Sequence, residues 1–222
     1  MAGSLQGKTA VITGSTRGIG LGFARALAAE GCAIMLNGFG DTAEIEDIRA
    51  GLAAAFSVPV FHNDADMREP EAIVAMIADA DDKLGKVDIL INNAGIQHRA
   101  PVETFPLEKW DEMLAVNLSA PFHAIRAVLP QMRARNWGRI INTASTNALV
   151  GTPELVCYTA TKHGILGLTK VVALETIETG ITCTATCPGT VRTNISEHRP
   201  DAFANERGLP HEAALAGSTA RH

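Results

Sequence analysis

Ser145, Tyr158 and Lys162 carry most of the chemical information in this chain. Tyr158 and Lys162 are four positions apart, so on an α-helix of ~3.6 residues per turn the phenol and the ammonium share a face. A free phenol titrates near pH ~10 and moves protons poorly at neutrality, but an ammonium held close favours the phenolate and lowers that value. A serine hydroxyl beside the phenol would hold a substrate oxygen while the proton moves. The same spacing also describes a surface tyrosine next to a solvated lysine, so the rest of the chain must decide between the two.

The elements that would position these residues follow a βαβ rhythm. Short apolar runs occur at Thr9–Thr13, Ala33–Leu36, Val58–Phe61, Val87–Ile91, Gly138–Asn142 and Gly180–Ala185. Between them, apolar residues recur at three- and four-residue intervals over about 18–30, 42–56, 69–84, 106–134 and 156–179, which predicts helices. The expected fold is α/β, a Rossmann-like doubly wound parallel sheet of six strands in one domain, residues 1–222.

Directly after the first strand comes Thr13-Gly14-Ser15-Thr16-Arg17-Gly18-Ile19-Gly20, opening the first helix. Glycines there let the backbone turn tightly and approach a pyrophosphate, while unsatisfied N–H groups at the helix start point at it. Placement between strand and helix meets the context expected of a dinucleotide fingerprint, although the Gly-x-x-x-Gly-x-Gly spacing departs from GxGxxG. Asn92-Asn93-Ala94-Gly95 follows the fourth predicted strand. Asn117, Ser145, the Tyr158/Lys162 pair and Pro188-Gly189 then follow in that order.

These ordered motifs, over residues 5–195, resemble the short-chain dehydrogenase/reductase family. The resemblance implies an NAD(P)-dependent oxidoreductase with Tyr158 as acid-base, Lys162 lowering its pKa and holding the nicotinamide ribose, and Ser145 polarising the substrate oxygen. It also implies that Asn117 opens the middle of its helix to hold a water in the proton relay. For the cofactor it implies Gly14, Ser15, Thr16, Arg17, Gly18, Ile19 and Gly20 around the pyrophosphate. Asp66 would meet the adenine, Asn93, Ala94 and Gly95 the adenosine side, and Pro188, Gly189, Val191 and Thr193 the carboxamide end.

Cofactor choice turns on the end of the second strand, Leu36-Asn37-Gly38-Phe39-Gly40, which carries neither the acid that binds an NAD ribose nor a base for an NADP phosphate. Arg17 argues for NADP. The stretch is similar to NAD-dependent 3-hydroxybutyrate dehydrogenases, where the Phe, here Phe39, packs near the adenosine, and NAD is the favoured expectation. Asn92–His98, Asn136–Asn142 and Leu168–Thr176 resemble the same branch, and Gln97 matches a residue that helps bind the substrate carboxylate there. That branch carries a His where this chain has Asn147, a Lys where it has Leu155, a Gln where it has Arg199 and a Trp where it has Thr190. The expected substrate is therefore a small 3-hydroxy or 3-keto acid or a related secondary alcohol, contacted by Gln97, Ser145, Asn147 and Tyr158, with Arg199 as a candidate partner for a carboxylate. An NADPH-dependent 3-oxoacyl reductase and a catalytically impaired dinucleotide-binding protein are the alternatives.

After Cys187-Pro188-Gly189 the periodicity fades. The stretch 190–222 reads as an atypical polar tail without the seventh strand that the resemblance implies. The resemblance further implies a homodimer or homotetramer built on the helices around 106–134 and 156–179.

Composition sets the outer bounds. With 222 residues, 46% hydrophobic and 19% charged, and a net charge of −5, the chain suits one globular domain, with no basic face for nucleic acid or an anionic membrane. No apolar run reaches the ~20 residues of a membrane span and the first residues lack a signal-peptide core, so the expected compartment is the cytoplasm. Cys32, Cys157, Cys183 and Cys187 form no paired CxxC set and are expected to be reduced thiols, Cys157 being a candidate reactive thiol beside Tyr158. No metal site is expected.

Overall fold

The computed structural model describes residues 3–189 and Val191. Six parallel strands, β1 (Thr9–Ile12), β2 (Ala33–Asn37), β3 (Val60–Asn63), β4 (Ile89–Asn92), β5 (Gly138–Thr143) and β6 (Ile181–Thr186), form one sheet in the order β3-β2-β1-β4-β5-β6. The Rossmann-like arrangement matches expectation. The intervening helices are α1 (Gly18–Ala29), α2 (Thr42–Phe56), α3 (Pro70–Leu84), α4 (Leu107–Leu114), α5 (Ala120–Ala134) and α6 (Val156–Glu175).

Alternation along each strand splits the core between the two sheet faces. Val11, Met35, Leu90 and Ile140 point to one side, where they meet Ile73 and Met76 of α3, Ile125 and Val128 of α5 and Val172 of α6. Ile12, Ile34, Leu36 and Ile91 point to the other, against Ala24 and Ala28 of α1 and Leu52 of α2. The largest of these strand residues are almost completely buried, and each contributes about 1.5–3 kcal/mol of hydrophobic stabilisation.

Local signals define several boundaries. Asp41 caps α2 by accepting from the N–H groups of Ala43 and Glu44. Pro70 opens α3, and Gly85 ends it in the left-handed region at φ 78°. β3 starts at Val60 and not at Val58, because Pro59 has no N–H for the ladder. β3 also runs on through His62 and Asn63, polar residues that pair with Leu36 and Asn37. The helix expected over 106–134 is split: Ala115–Ser119 forms a π-turn between α4 and α5, with Asn117 inside it. The last expected helix stops at Glu175, short of 179.

β1 sits between β2 and β4, so the chain reverses its direction of travel across the sheet there. Loops leaving β1 and β4 diverge and open a crevice at the carboxyl ends of the strands, the usual ligand site of open α/β sheets.

Candidate active site

A cavity of about 860 Å³ occupies that crevice. Its wall is built from the loops after all six strands. Gly14, Thr16, Arg17, Gly18 and Ile19 come from β1–α1, Phe39 from β2 and Asp66 from β3. Asn93, Ala94, Gly95 and Gln97 follow β4, Ser145 and Asn147 follow β5, and Pro188, Gly189 and Val191 follow β6, with Tyr158 and Lys162 on α6. The structure thus gathers nearly all of the residues singled out from the sequence.

Three of them stand behind the wall. The fully buried Ser15 hydroxyl donates to Ile12 O at 2.7 Å, so its side chain ties the turn to β1 and does not face a ligand. Gly20 lies against the framework, where a Cβ would come within 2.6 Å of Asn93 Nδ2. Asn117 is buried, and its amide grips Ile96: Nδ2 donates to Ile96 O and Oδ1 accepts from Ile96 N, both at 2.9 Å. The π-turn presents this amide to the loop after β4. Thr193 and Arg199 lie outside the described residues, as does the tail from 192 onward.

The glycine turn is held by side chains that are themselves consumed. Gly14 has φ 61°, and a Cβ there would lie 2.8 Å from Ala94 Cα, so the two loops touch through backbone alone. Asn37 Oδ1 accepts from Gly14 N at 3.2 Å, while its Nδ2 donates to Asn63 O and Ala65 O. Asn93 Nδ2 donates to Thr13 O and Gly14 O. Arg17, at the N-cap of α1, makes no side-chain capping bond, so the first-turn amides beside the cavity keep their capacity to bind an anion.

At the other end, Lys162 is 4% exposed. Its Nζ donates to Thr143 O at 2.7 Å and lies 5.5 Å from the Tyr158 ring centre. Burial pulls the ammonium down from the ordinary lysine range to about 8, against a smaller upward pull from Cys187. Tyr158 and Lys162 therefore share the interior of a cleft and are not a solvated surface pair. Ser145 caps the short turn after β5, its Oγ accepting from Asn147 N at 3.1 Å, and Asn147 Oδ1 accepts from Thr152 Oγ1 at 3.3 Å. A Cβ at Gly95 would reach 3.4 Å from Asn117 Oδ1 and 3.7 Å from Lys162 Nζ. Glycine there leaves room over the lysine for a flat ring and its sugar, so the residues present fit a dinucleotide.

Sequence reasoning missed Arg68, Arg99 and Glu112 in the wall. Arg68 grips the Asp66 carboxylate with two nitrogens, and the guanidinium holds that acid below the usual carboxylate range. The short Asp-x-Arg spacing was the available signal. Leu155 is fully buried and lies outside the cavity wall, so it is a packing residue. Cys32, Cys157 and Cys183 are buried and Cys187 half-buried; all four are free, burial pushes Cys32 up to about 12 and Cys183 up to about 11, and Cys157 is raised as well, which argues against a reactive thiol beside Tyr158. No cluster of metal-ligating side chains occurs among the described residues.

The family model for short chain dehydrogenases matches residues 8–202. The chain belongs to the short chain dehydrogenase family. It is 49% identical to a D-beta-hydroxybutyrate dehydrogenase of Rhizobium meliloti (strain 1021) over 208 residues, covering 94% of this chain and 81% of the relative. Identity is also 49% to the D-beta-hydroxybutyrate dehydrogenase of Cupriavidus necator over 212 residues, 95% of this chain and 81% of that one. Among solved structures, an actinorhodin polyketide ketoreductase variant with NADPH superposes at a TM-score of 0.89 with 33% identity, covering all of this chain and 84% of that one. This short-chain dehydrogenase is an oxidoreductase that uses a nicotinamide cofactor and a small-molecule substrate. Among its described residues no helix is long and apolar enough to cross a membrane.

Proposed function

We propose that this dehydrogenase interconverts a small 3-hydroxy acid of the 3-hydroxybutyrate type and its 3-keto acid, with NAD as the hydride carrier. The observation that carries the chemistry is the buried Lys162 ammonium 5.5 Å from the Tyr158 ring, in the cavity that Ser145 and the glycine turn also line. The 49% identity to two D-beta-hydroxybutyrate dehydrogenases supports the substrate class.

A bound nicotinamide would supply or accept the hydride at the substrate carbon. The protein supplies everything else. Tyr158 gives or takes the proton on the substrate oxygen, with the Lys162 charge stabilising the phenolate while that proton is absent. Ser145 Oγ bonds the same oxygen and sets its direction. Asn117, by gripping Ile96, fixes the loop that carries Gln97, and its π-turn is the place for a water leading protons away from Lys162. Gln97 and Asn147 would face the rest of the substrate. At the cofactor end, Gly14, Thr16, Arg17, Gly18 and Ile19 would receive the pyrophosphate. Asp66 and Phe39 would flank the adenosine, Asn93, Ala94 and Gly95 its ribose side, and Pro188, Gly189 and Val191 the carboxamide.

NAD is favoured because no basic side chain stands at the end of β2. The Asn37 amide is fully engaged, and a Cβ at Gly38 would meet Thr16 Oγ1 at 2.7 Å. Arg17 in the cavity wall is the observation that favours a second reading, an NADPH-dependent 3-oxoacyl reductase. Initial rates with 3-hydroxybutyrate and either NAD or NADP, beside a 3-oxoacyl thioester with NADH or NADPH, separate the two. The first reading expects kcat/KM at least about tenfold higher with the hydroxy acid and NAD. A preference for NADPH and the thioester establishes the second, and turnover of no hydroxy acid or alcohol by protein that binds dinucleotide leaves a binding protein.

The chain is also proposed to assemble as a homodimer or homotetramer. Phe122 on α5 and Val171 and Leu174 on α6 are about half to two-thirds exposed, and Ile177 just beyond α6 more so. A sedimentation mass of one chain would remove this part of the proposal.

A further inference from the structure

Arg99 has no role in the chemistry described so far. It lines the cavity together with Gln97, Ser145, Asn147 and Tyr158. The chain from Asn93 runs without helix into an isolated parallel bridge between Ala100 and Leu155. Gln97 and Arg99 line the cavity, and His98 between them does not. His98 packs edge-on against Phe105 at 5.5 Å.

The other cations of the wall are committed or distant. Arg68 is held by Asp66 and lies 3.9 Å from Glu112. Lys162 bonds Thr143 O beneath Tyr158, and Arg17 belongs to the turn after β1. Among the described residues Arg99 Nη1 has one ionic partner, Glu154 Oε2, at 3.3 Å, with side chains 39% and 49% exposed. A single long contact between exposed groups is weakly held, and it leaves most of the guanidinium fork open to a second acceptor. The two residues are kept together by backbone: Ala100 N donates to Glu154 O at 3.1 Å, and Glu154 sits at φ 66°.

We propose that Arg99 binds the carboxylate of the hydroxy-acid substrate and that Glu154 holds its guanidinium at the mouth of the cavity until the substrate engages it. The inference rests on the hydroxy-acid reading and deepens it. A carboxylate entering beside Gln97 meets a two-pronged donor, whereas Leu155, packed in the interior, offers it nothing. Glu154 competes for the same fork, so it sets how readily the site takes an anion.

The test is steady-state kinetics on 3-hydroxybutyrate and on its uncharged methyl ester for the wild type, Arg99→Gln, Arg99→Lys and Glu154→Gln, with dinucleotide affinity and thermal melts as folding checks. Arg99→Gln is expected to raise KM for the acid by about 10- to 100-fold, the range for losing a charged hydrogen bond. Its kcat and the KM for the ester should stay within about threefold. Arg99→Lys recovers part of the acid preference, and Glu154→Gln lowers KM for the acid. A wild type that prefers the acid, with an acid-to-ester ratio that Arg99→Gln leaves unchanged, overturns the role of Arg99 alone. A wild type indifferent to the charge brings down the hydroxy-acid reading and this inference together.

Discussion

The two ends of the cavity are built on opposite plans. At the glycine turn, Ser15, Asn37 and Asn93 spend their polar atoms on the framework, and what remains for a ligand is mostly backbone. At the far end, Ser145, Tyr158, Lys162, Gln97 and Arg99 bring side chains to the wall. Backbone donors at a helix start recognise any pyrophosphate, so this half tolerates only changes that keep the turn. Side chains recognise one substrate, and here a single substitution can retune the pocket without disturbing the sheet.

Conservative changes at each end put that division to work. The largest effect is expected from Tyr158→Phe, which removes the oxygen proposed to carry the proton and should lower kcat by roughly 10²–10⁴ or more. Dinucleotide affinity, measured by titration of reduced-cofactor fluorescence, should stay within about threefold. Loss of cofactor binding in this variant would mean that the ends are not separable.

Lys162→Met should show its effect through pH. Burial lowers the folded-state value to about 8, below the unfolded lysine value of ~10.4. Between those values the unfolded chain binds the proton that the folded chain has released, so wild-type stability from this group rises with pH across about 8 to 10.4. Below pH 8 both states are protonated, and the folded state carries the full cost of the buried ammonium. Denaturant titrations should therefore show the wild type gaining on Lys162→Met by on the order of 3 kcal/mol over that window. A pH-independent difference would mean that the ammonium is not desolvated in the folded protein.

The smallest effect belongs to Asn37→Ala, which leaves Gly14 N, Asn63 O and Ala65 O without their side-chain partner. A loss of about 1–3 kcal/mol in stability is expected, with KM for the dinucleotide raised and kcat at saturating cofactor nearly unchanged. A fall in kcat with normal cofactor affinity would contradict the assignment of Asn37 to the turn.

Much of this was legible in the residues. The alternation of strands and helices, the glycine turn and the Tyr158/Lys162 spacing depend on local periodicity and chain order, which one sequence displays. The π-turn was not legible in the apolar pattern, because the stripe through 106–134 continues across Ala115–Ser119. There Ile96, distant in sequence, offers both backbone groups to the Asn117 amide. Asn37 looked like an uncharged strand end, and only the pairing of β2 with β3 shows its amide occupied on both sides. Leu155 read as a lost charge in the pocket, while the bridge to Ala100 makes it core and brings Arg99 to the cavity instead.

By itself the sequence determined the parallel sheet, through the alternation of short apolar runs with helical periodicity, and singled out Tyr158 and Lys162 as the candidate pair. Tertiary structure alone decided which polar side chains are left for a ligand. A hydrogen bond satisfied within the framework removes a group from chemistry, and the partners here, such as Asn37 with Ala65 and Asn117 with Ile96, come from segments that folding brings together.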